Sequence, residues 1–587
     1  MTAQLEASIE RAIAQWPVVG LGCSVIAGNE TLFSHGFGVR RLHSNEPVDD
    51  RTLFAIGSVS KSFTATALAM LVDEGLISWD SRVIDHLPAF RLFDPFVTRE
   101  ITVRDLLTHR SGLERGDFMW YKSGYNASEV LKRVAYLQPS WSFRATFGYQ
   151  NIMYLAAGEL IAALTGKGWD DFIRERIFGP LGMTDSRPSL ATLGAYPNVA
   201  APHARFEGEI RQIEAHDGLN MNAAGSIYSN ARDMLAWLHL TIDGGVHNGK
   251  RLLSTGASKM TQTPQMLIAQ SAWSELFPDV EFLSYAAGWF VCSYRGLTVV
   301  SHGGNVDGMS AAAAVVPERG FGITALANVD ACRLPQALIY HAIDSVIFSE
   351  PGSRLEEFLE RERFGRERLV YAEEDRKKSL IPGTKPSRPL DAYAGVYEET
   401  FYGRGTVTLR DGRLHLSFIG FEGPLDHWQL DTFRHVVDDP YLTTYKPIVR
   451  FELDDFGEPS QLTLVLLGTL RIKLQRKSPE PQPIALPVEK LRSYQGRFAS
   501  TQASLGIVIE LVDDALKVTI PGSLAGSSED VVVRALIPVA ENRLAIASTQ
   551  AVLCFDAPDT VELEIPHQLP VRMHAAQKGS FSAFETK

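Results

Sequence analysis

The sequence predicts an α+β protein: an antiparallel sheet flanked by helices, with an inserted helical subdomain, followed by two small antiparallel β-barrels. Three observations predict it. Strand patterns stand at both ends of residues 1–350 and helical spacing fills the middle, which suggests one sheet closed by the two ends of that region. Composition then turns to Glu, Arg and Lys, and next to a Pro-rich run, over residues 351–388, the mark of a helix-like connector and a linker. Beyond it a weak internal repeat of about 100 residues sets Leu-Asp-Ala-Tyr-Ala-Gly-Val-Tyr at 390–397 against Leu-Arg-Ser-Tyr-Gln-Gly-Arg-Phe at 491–498. The expected domains are therefore 1–360, a linker at 361–388, and barrels at 389–477 and 488–587.

The elements follow in order. The N-terminus reads as a polar amphipathic helix. Residues 20–26 and 31–39 alternate around Gly28-Asn29, a hairpin signal. The run 65–76 is rich in Ala, Leu and Met and stops at Glu74-Gly75, as a buried helix with a glycine C-cap would. Thr102 is placed to cap a helix that ends near Ser111-Gly112, and residues 127–137, 151–165, 170–178, 230–243 and 332–348 show helical spacing. The stretch 186–228 is irregular. Strands return at 285–294, 297–301, 310–316 and 321–327. In the tail, short alternating runs such as 413–418 and 515–520 flank a Pro-rich joint at 478–483 and favour two barrels, with a single β-sandwich as the alternative.

The bulk numbers exclude several classes. A chain of 587 residues, 45% hydrophobic and 21% charged, has the composition of an ordinary globular protein. Net charge is −12 and the pI about 5.7, without a long basic run, so nucleic acid and anionic membranes are poor partners. The N-terminus lacks the apolar core of a signal peptide, and no apolar run approaches a membrane span. Cys23, Cys292, Cys332 and Cys554 are scattered without Cys-x-x-Cys, which indicates neither a disulfide framework nor a cysteine zinc site. A cytoplasmic protein with reduced thiols and no metal or cofactor is the expectation. Oligomeric state stays open, a homo-oligomer included.

Chemistry concentrates in three short motifs. Ser58-x-x-Lys61 is the sole Ser-x-x-Lys in the chain. One turn apart on one helix face, a hydroxyl and an amine come within reach, near the positive end of the helix dipole. Burial would lower the pKa of Lys61 toward a proton-accepting amine. Tyr149-Gln-Asn151 precedes the helix at 151–165, and Tyr149 could relay a proton if a cation such as Lys61 drew its pKa down. His302-Gly-Gly304 ends an apolar strand, and the two glycines let a substrate approach backbone amides that can face a developing oxyanion. Each motif alone also fits a bland reading: a helix cap, an anchoring tyrosine, a turn histidine. Metallohydrolase and α/β-hydrolase readings lose support because His-Glu-x-x-His and Gly-x-Ser-x-Gly are absent.

In this order and spacing the three motifs resemble those of the serine beta-lactamase and penicillin-binding-protein superfamily, in the branch of class C beta-lactamases, related esterases and D-aminopeptidases. Leu-Leu-Thr-His-Arg-Ser-Gly-Leu at 106–113, Phe-Gly-Pro-Leu-Gly-Met at 178–183 and the run 224–233 match its structural signatures. The resemblance implies a beta-lactamase-like catalytic domain over about residues 5–350 and assigns roles. Ser58 would be the acylated nucleophile, Lys61 its base, Tyr149 the proton shuttle, and Asn151 a holder of substrate amide or carbonyl. The amides of Ser58 and Asn305 would form the oxyanion hole, worth about 3 kcal/mol per donor, with Gly303 and Gly304 giving access. His302 stands where beta-lactamases carry the lysine of Lys-Thr-Gly, which weakens a beta-lactamase reading. It would orient the acyl group or steady Tyr149. The two-barrel tail resembles D-aminopeptidases, whose lipocalin-like barrels include a loop that limits substrate size; no gating residue can be named from sequence.

The resemblance thus implies a serine hydrolase acting on amide bonds of small peptides or amino-acid amides. Alternatives are a carboxylesterase, a penicillin-binding-protein-type peptide cyclase, less so a true beta-lactamase, and, outside enzymes, a degenerate peptide-binding module. Residues 113–126, with Asp117, Trp120, Tyr121 and Tyr125, and residues 263–285 are expected to frame the cleft.

Overall fold

The computed structural model describes residues 2–28, 30–216, 219–269, 273, 276–466, 470–477, 484–500, 505–521, 531–547, 551–557, 560–564 and 571–575. The chain divides into two compact units, Met1–Lys477 and Ser478–Lys587.

In the first unit an N-terminal helix, α1 (Thr2–Gln15), precedes the hairpin β1 (Gly20–Ala27) and β2 (Glu30–Gly38). Six further strands complete the sheet: β3 (Met266–Leu267), β4 (Val280–Tyr285), β5 (Phe290–Tyr294), β6 (Leu297–Val306), β7 (Met309–Val316) and β8 (Phe321–Ala327). Their order is β2-β1-β8-β7-β6-β5-β4-β3, every neighbour antiparallel. The hairpin pairs with the last strand, Cys23 opposite Ala325, so both ends of this region close one sheet as expected. The run 285–294, read as one strand, is instead the last residue of β4, a turn, and the whole of β5. Gly288, at φ +79°, turns the chain, and a Cβ there would stand 2.7 Å from the Lys61 carbonyl oxygen. The turn is thus pressed against the helix that carries Lys61.

That helix is α2 (Ser60–Asp73). Twelve of its fourteen residues are buried, which is why its sequence is apolar nearly all round. Phe63 stacks on Trp237 with centroids 3.6 Å apart. The helix stops at Glu74, and Gly75 (φ +73°) follows. Next comes α3 (Val103–Leu107), opened by a Thr102–Asp105 capping box. It ends sooner than the sequence suggested, because His109 adopts φ 55° and turns its ring inward, where Nδ1 accepts the Gln150 amide at 3.0 Å. The helix α4 (Asn151–Thr165) runs from a Gln150 cap to Gly166 (φ +70°), and α5 (Ala231–Ile242) and α6 (Leu334–Ala342) pack on the sheet. A 25-residue helix, α7 (Arg354–Lys378), buries Leu355, Phe358 and Leu359 in the domain's core before its outer half exposes Phe364, Leu369 and Tyr371.

Eight antiparallel strands, from β9 (Gly395–Glu399) to β16 (Leu470–Arg476), form a closed barrel within this unit, sealed where Tyr397 meets Arg476. In the second unit eight more, from β17 (Gly496–Ser500) to β24 (Val571–Ala575), close where Phe498 meets Ala575. Two closed barrels replace the sandwich alternative. The repeated motif explains itself: Tyr397 and Phe498 are its last positions, both buried at the closing seam. The expected joint at 478–483 lies outside the described residues.

Candidate active site

Ser58 occupies a 3₁₀ turn, Gly57–Val59, that feeds straight into α2. The backbone there lies against β6: a Cβ on Gly57 (φ +51°) would stand 2.7 Å from the Asn305 amide nitrogen, and one on Gly304 would collide with the Ile56 carbonyl oxygen. Two glycines therefore bring the amides of Ser58 and Asn305 to one place. Gly303 has only ordinary contacts.

Lys61 is fully buried, with Nζ 3.0 Å from Ser58 Oγ and 2.7 Å from the Ala224 carbonyl oxygen. Burial, and then the charge of Arg115, hold the ammonium well below its ordinary pKa against the pull of Asp117. A neutral amine gives one N–H to Ala224 and has a lone pair for the Ser58 hydroxyl.

Tyr149 sits just ahead of the α4 cap, and the extended Gln150 (φ −133°, ψ 112°) throws its ring toward Ser58. Gln150 is itself pinned, its side-chain amide donating to the Glu114 carbonyl oxygen. Lys61 Nζ lies 5.0 Å from the Tyr149 ring centroid and the Arg115 guanidinium carbon 5.1 Å. Lys61, itself lowered by burial, is not among the groups that draw Tyr149 down. Burial pushes the phenol above its ordinary pKa, while a hydrogen bond with Ser58 and then the Arg115 charge oppose that rise. Burial thus favours the neutral form of both groups.

His302 is 2% exposed and does not reach Ser58. Its Nδ1 lies 2.6 Å from the Gly303 carbonyl oxygen, which accepts only, so Nδ1 carries the proton. Nε2 then accepts from the Tyr285 hydroxyl at 2.9 Å. Burial, with Lys61 nearby, lowers the imidazole to about 3. The ring packs 6.3 Å from Tyr149. Asn151, at the start of α4, donates from Nδ2 to Asp117 Oδ1 at 2.9 Å.

These groups open on a cavity of about 650 Å³ lined by Ser58, Tyr149, Asn151 and Asn305, but not by Lys61, His302, Gly303 or Gly304. Of the stretch 113–126 expected to frame it, residues 114–118, Trp120 and Tyr121 do, whereas Tyr125 does not, its hydroxyl donating to the Tyr402 carbonyl oxygen at 3.4 Å. In 263–285 only some residues are described; Trp273 packs 6.4 Å from Tyr149. Sequence reasoning missed Arg115, which the charged Glu-Arg-Gly-Asp run could have flagged. It also missed Tyr402, Tyr441 and Tyr445, which reach the cavity from the first barrel. Among the described residues no cluster of His, Cys, Asp or Glu suits a metal ion, and no helix is long and apolar enough to cross a membrane.

A fold with a sheet closed by both ends, a serine and buried lysine at a helix start, and a tyrosine facing both defines a serine hydrolase of the beta-lactamase and penicillin-binding-protein class. The profile described as Beta-lactamase matches residues 5–341, and the chain belongs to that family. A second profile, a domain of unknown function (DUF3471), matches residues 380–477. Among similar proteins, "Unguisins hydrolase ungD'" of Aspergillus campestris is 28% identical over 68% of this chain and 76% of its own length. "Penicillin-binding protein 4" of Amycolatopsis lactamdurans is 30% identical over 50% of this chain and 76% of its own. The octameric penicillin-binding protein homologue of Pyrococcus abyssi shares the fold at a TM-score of 0.52 and 20% identity, covering 81% of this chain and 99% of that one.

Proposed function

We propose that Ser58 forms an acyl-enzyme and that the chain cleaves amide bonds of small peptides or amino-acid amides. One observation carries the reading: a fully buried Lys61 whose Nζ lies 3.0 Å from Ser58 Oγ, with Ser58 lining a cavity of about 650 Å³. Lys61 takes the Ser58 proton as Oγ attacks the carbonyl carbon. The Ser58 and Asn305 amides receive the oxyanion. Tyr149, between Ser58 and the cavity, passes a proton to the leaving amine and later takes one from the deacylating water. Asn151, steadied by Asp117, holds a substrate amide. His302 positions Tyr149 by packing and through Tyr285, and does not touch substrate.

A cavity of about 650 Å³ suits a ligand of a few residues, and the tyrosines of the first barrel cap its size. With His302 neutral and both its nitrogens engaged, it offers no cation to a beta-lactam carboxylate, so nitrocefin turnover is expected to be slow. Relatives named as unguisins hydrolases support hydrolysis as the outcome and add unguisins to the substrates to try. The test is a screen of D- and L-aminoacyl amides, short esters, unguisins and nitrocefin against wild type, Ser58→Ala, Lys61→Met and Tyr149→Phe. Ser58→Ala and Lys61→Met are expected to lose activity together, because the pair acts as a unit, and Tyr149→Phe to lose about 10²- to 10⁴-fold in kcat. Ester turnover exceeding amide turnover by orders of magnitude would replace the amidase with an esterase.

A further inference from the structure

When Tyr149 gives up its proton a phenolate forms among buried groups, and a permanent positive charge nearby would stabilise it beyond what the proton in transit supplies. Two obvious groups do not carry a permanent one. His302 has Nδ1 committed to the Gly303 carbonyl and Nε2 to the Tyr285 hydroxyl. Lys61, lowered by burial, carries a charge while it holds the Ser58 proton, so its support comes and goes with the reaction.

Other groups facing Tyr149 are uncharged or negative. His109 of the turn after α3 packs 4.2 Å from its ring, with Nδ1 occupied by the Gln150 amide, and burial holds it neutral. Tyr285 of β4 lies 6.4 Å away, Tyr154 of α4 donates to the Leu107 carbonyl, and Asp117 is anionic. Arg115 is different. Its guanidinium carbon lies 5.1 Å from the Tyr149 ring centroid, and Nε pairs with Asp117 Oδ2 at 2.5 Å. Asp117 is fixed in turn by Asn151 at 2.9 Å and by Trp120 Nε1 at 3.1 Å. Among the described residues Arg115 is the lone lysine or arginine lining the cavity.

We propose that Arg115 is a positioning residue of the proton path: held by Asp117 over the Tyr149 ring, it supplies the permanent charge that stabilises the Tyr149 phenolate while the Ser58 proton is in transit. This rests on the Ser58–Lys61–Tyr149 reading. The Asp117 tether has a second consequence, since one carboxylate sets both this guanidinium and the amide of Asn151. Charge support for the proton path and the grip on substrate are thereby placed by the same loop. An arginine suits the post because it stays protonated across the whole pH range and its planar guanidinium lies well against a ring face.

A fluorophosphonate probe tests this without knowledge of the substrate. Ser58 Oγ bonds to phosphorus, the P–F bond breaks, fluoride leaves with the electron pair, and the serine proton passes to the Lys61–Tyr149 pair. Labelling rates are followed by intact mass from acid to alkaline pH for wild type, Ser58→Ala, Arg115→Met, Arg115→Lys and Asp117→Asn. Arg115→Met is expected to label about 30-fold more slowly at neutral pH. Its rising limb is expected to move up by about one pH unit, because the phenol loses the charge that lowers its pKa. Arg115→Lys should restore most of the rate and the limb, while Asp117→Asn frees the guanidinium but also removes an anion that raises the phenol, so its limb should move less. Should Arg115→Met not fold, Arg115→Gln takes its place. Unshifted profiles in the variants, whether or not the rates fall, overturn the proposal. Absence of labelling in wild type, or labelling of Ser58→Ala equal to it, overturns the acyl-enzyme reading itself.

Discussion

The two barrels have the same eight strands, the same opening motif and the same seam, yet they are put to different use. The first is built into the catalytic unit by an exchange of side chains. Phe401, from the barrel, is buried in the core around α2, while Phe118 and Tyr121, from the loop after α3, are buried in the barrel's own cluster. Arg133 donates to the Thr400 and Phe401 carbonyls at 3.3 Å, Lys122 pairs with Asp439, and the Tyr441 hydroxyl donates to Asp330 at 2.7 Å. The second barrel forms a unit of its own around Tyr494, Phe498 and Phe555. One architecture serves once as an active-site wall and once as an independent body, and loop residues rather than strands decide which.

Three substitutions probe that contrast. The largest effect is expected from Gly420→Val. Gly420 has φ +79°, and a Cβ would stand 2.7 Å from the Lys122 carbonyl oxygen. Strain and clash together should cost about 3 kcal/mol. Thermal unfolding of the first unit is expected to fall by several degrees and kcat/KM to drop with it, the second unit's transition staying put. An unchanged first transition would mean the barrel docks elsewhere.

A smaller effect is pH-dependent. His435, buried in the first barrel, is lowered to about 4 by burial. Folded chains then bind fewer protons than unfolded ones between about pH 6.5 and 4, so its contribution is present above that window and is lost on acidification, with a slope of about 1.4 kcal/mol per pH unit. His435→Phe should flatten the acid arm of the first unit's stability curve. In the second barrel the described residues include no buried histidine, and its transition should be less acid-sensitive. The smallest effect belongs to Tyr494→Phe, which removes a hydroxyl that donates to the Glu541 carbonyl. About 1 kcal/mol should be lost from the second unit alone, with kcat/KM within experimental error of wild type; a change in catalysis would end the idea that the units work separately.

What the sequence could convey divides along similar lines. Periodicity marked the sheet's closing strands, α2 and α4, because each buries one clear face or is buried whole. It could not mark the Gly288 turn, where Ala286-Ala287-Gly288-Trp289 between two apolar runs looks like continuous strand. Ser58, Lys61 and Tyr149 were legible because local spacing carries them, and the structure brings them together. His302 was legible as a motif, but its hydrogen bonds to Gly303 and Tyr285 were not, since Tyr285 comes from another strand. Arg115 and the barrel tyrosines escaped for the same reason: their relation to Ser58 exists only after distant segments meet.

The main-chain contact between Gly57 and β6 bears on how such a catalyst can be altered. Amide nitrogens have no side chain to exchange, and the two glycines leave no room to add one. Substitution could therefore destroy the proposed oxyanion pocket but has no means of tuning it. Any change of chemistry on this scaffold has to be written in the surrounding loops, above all in the segment from Glu114 to Tyr125 and in the barrel's tips, while the pocket is kept whole or lost.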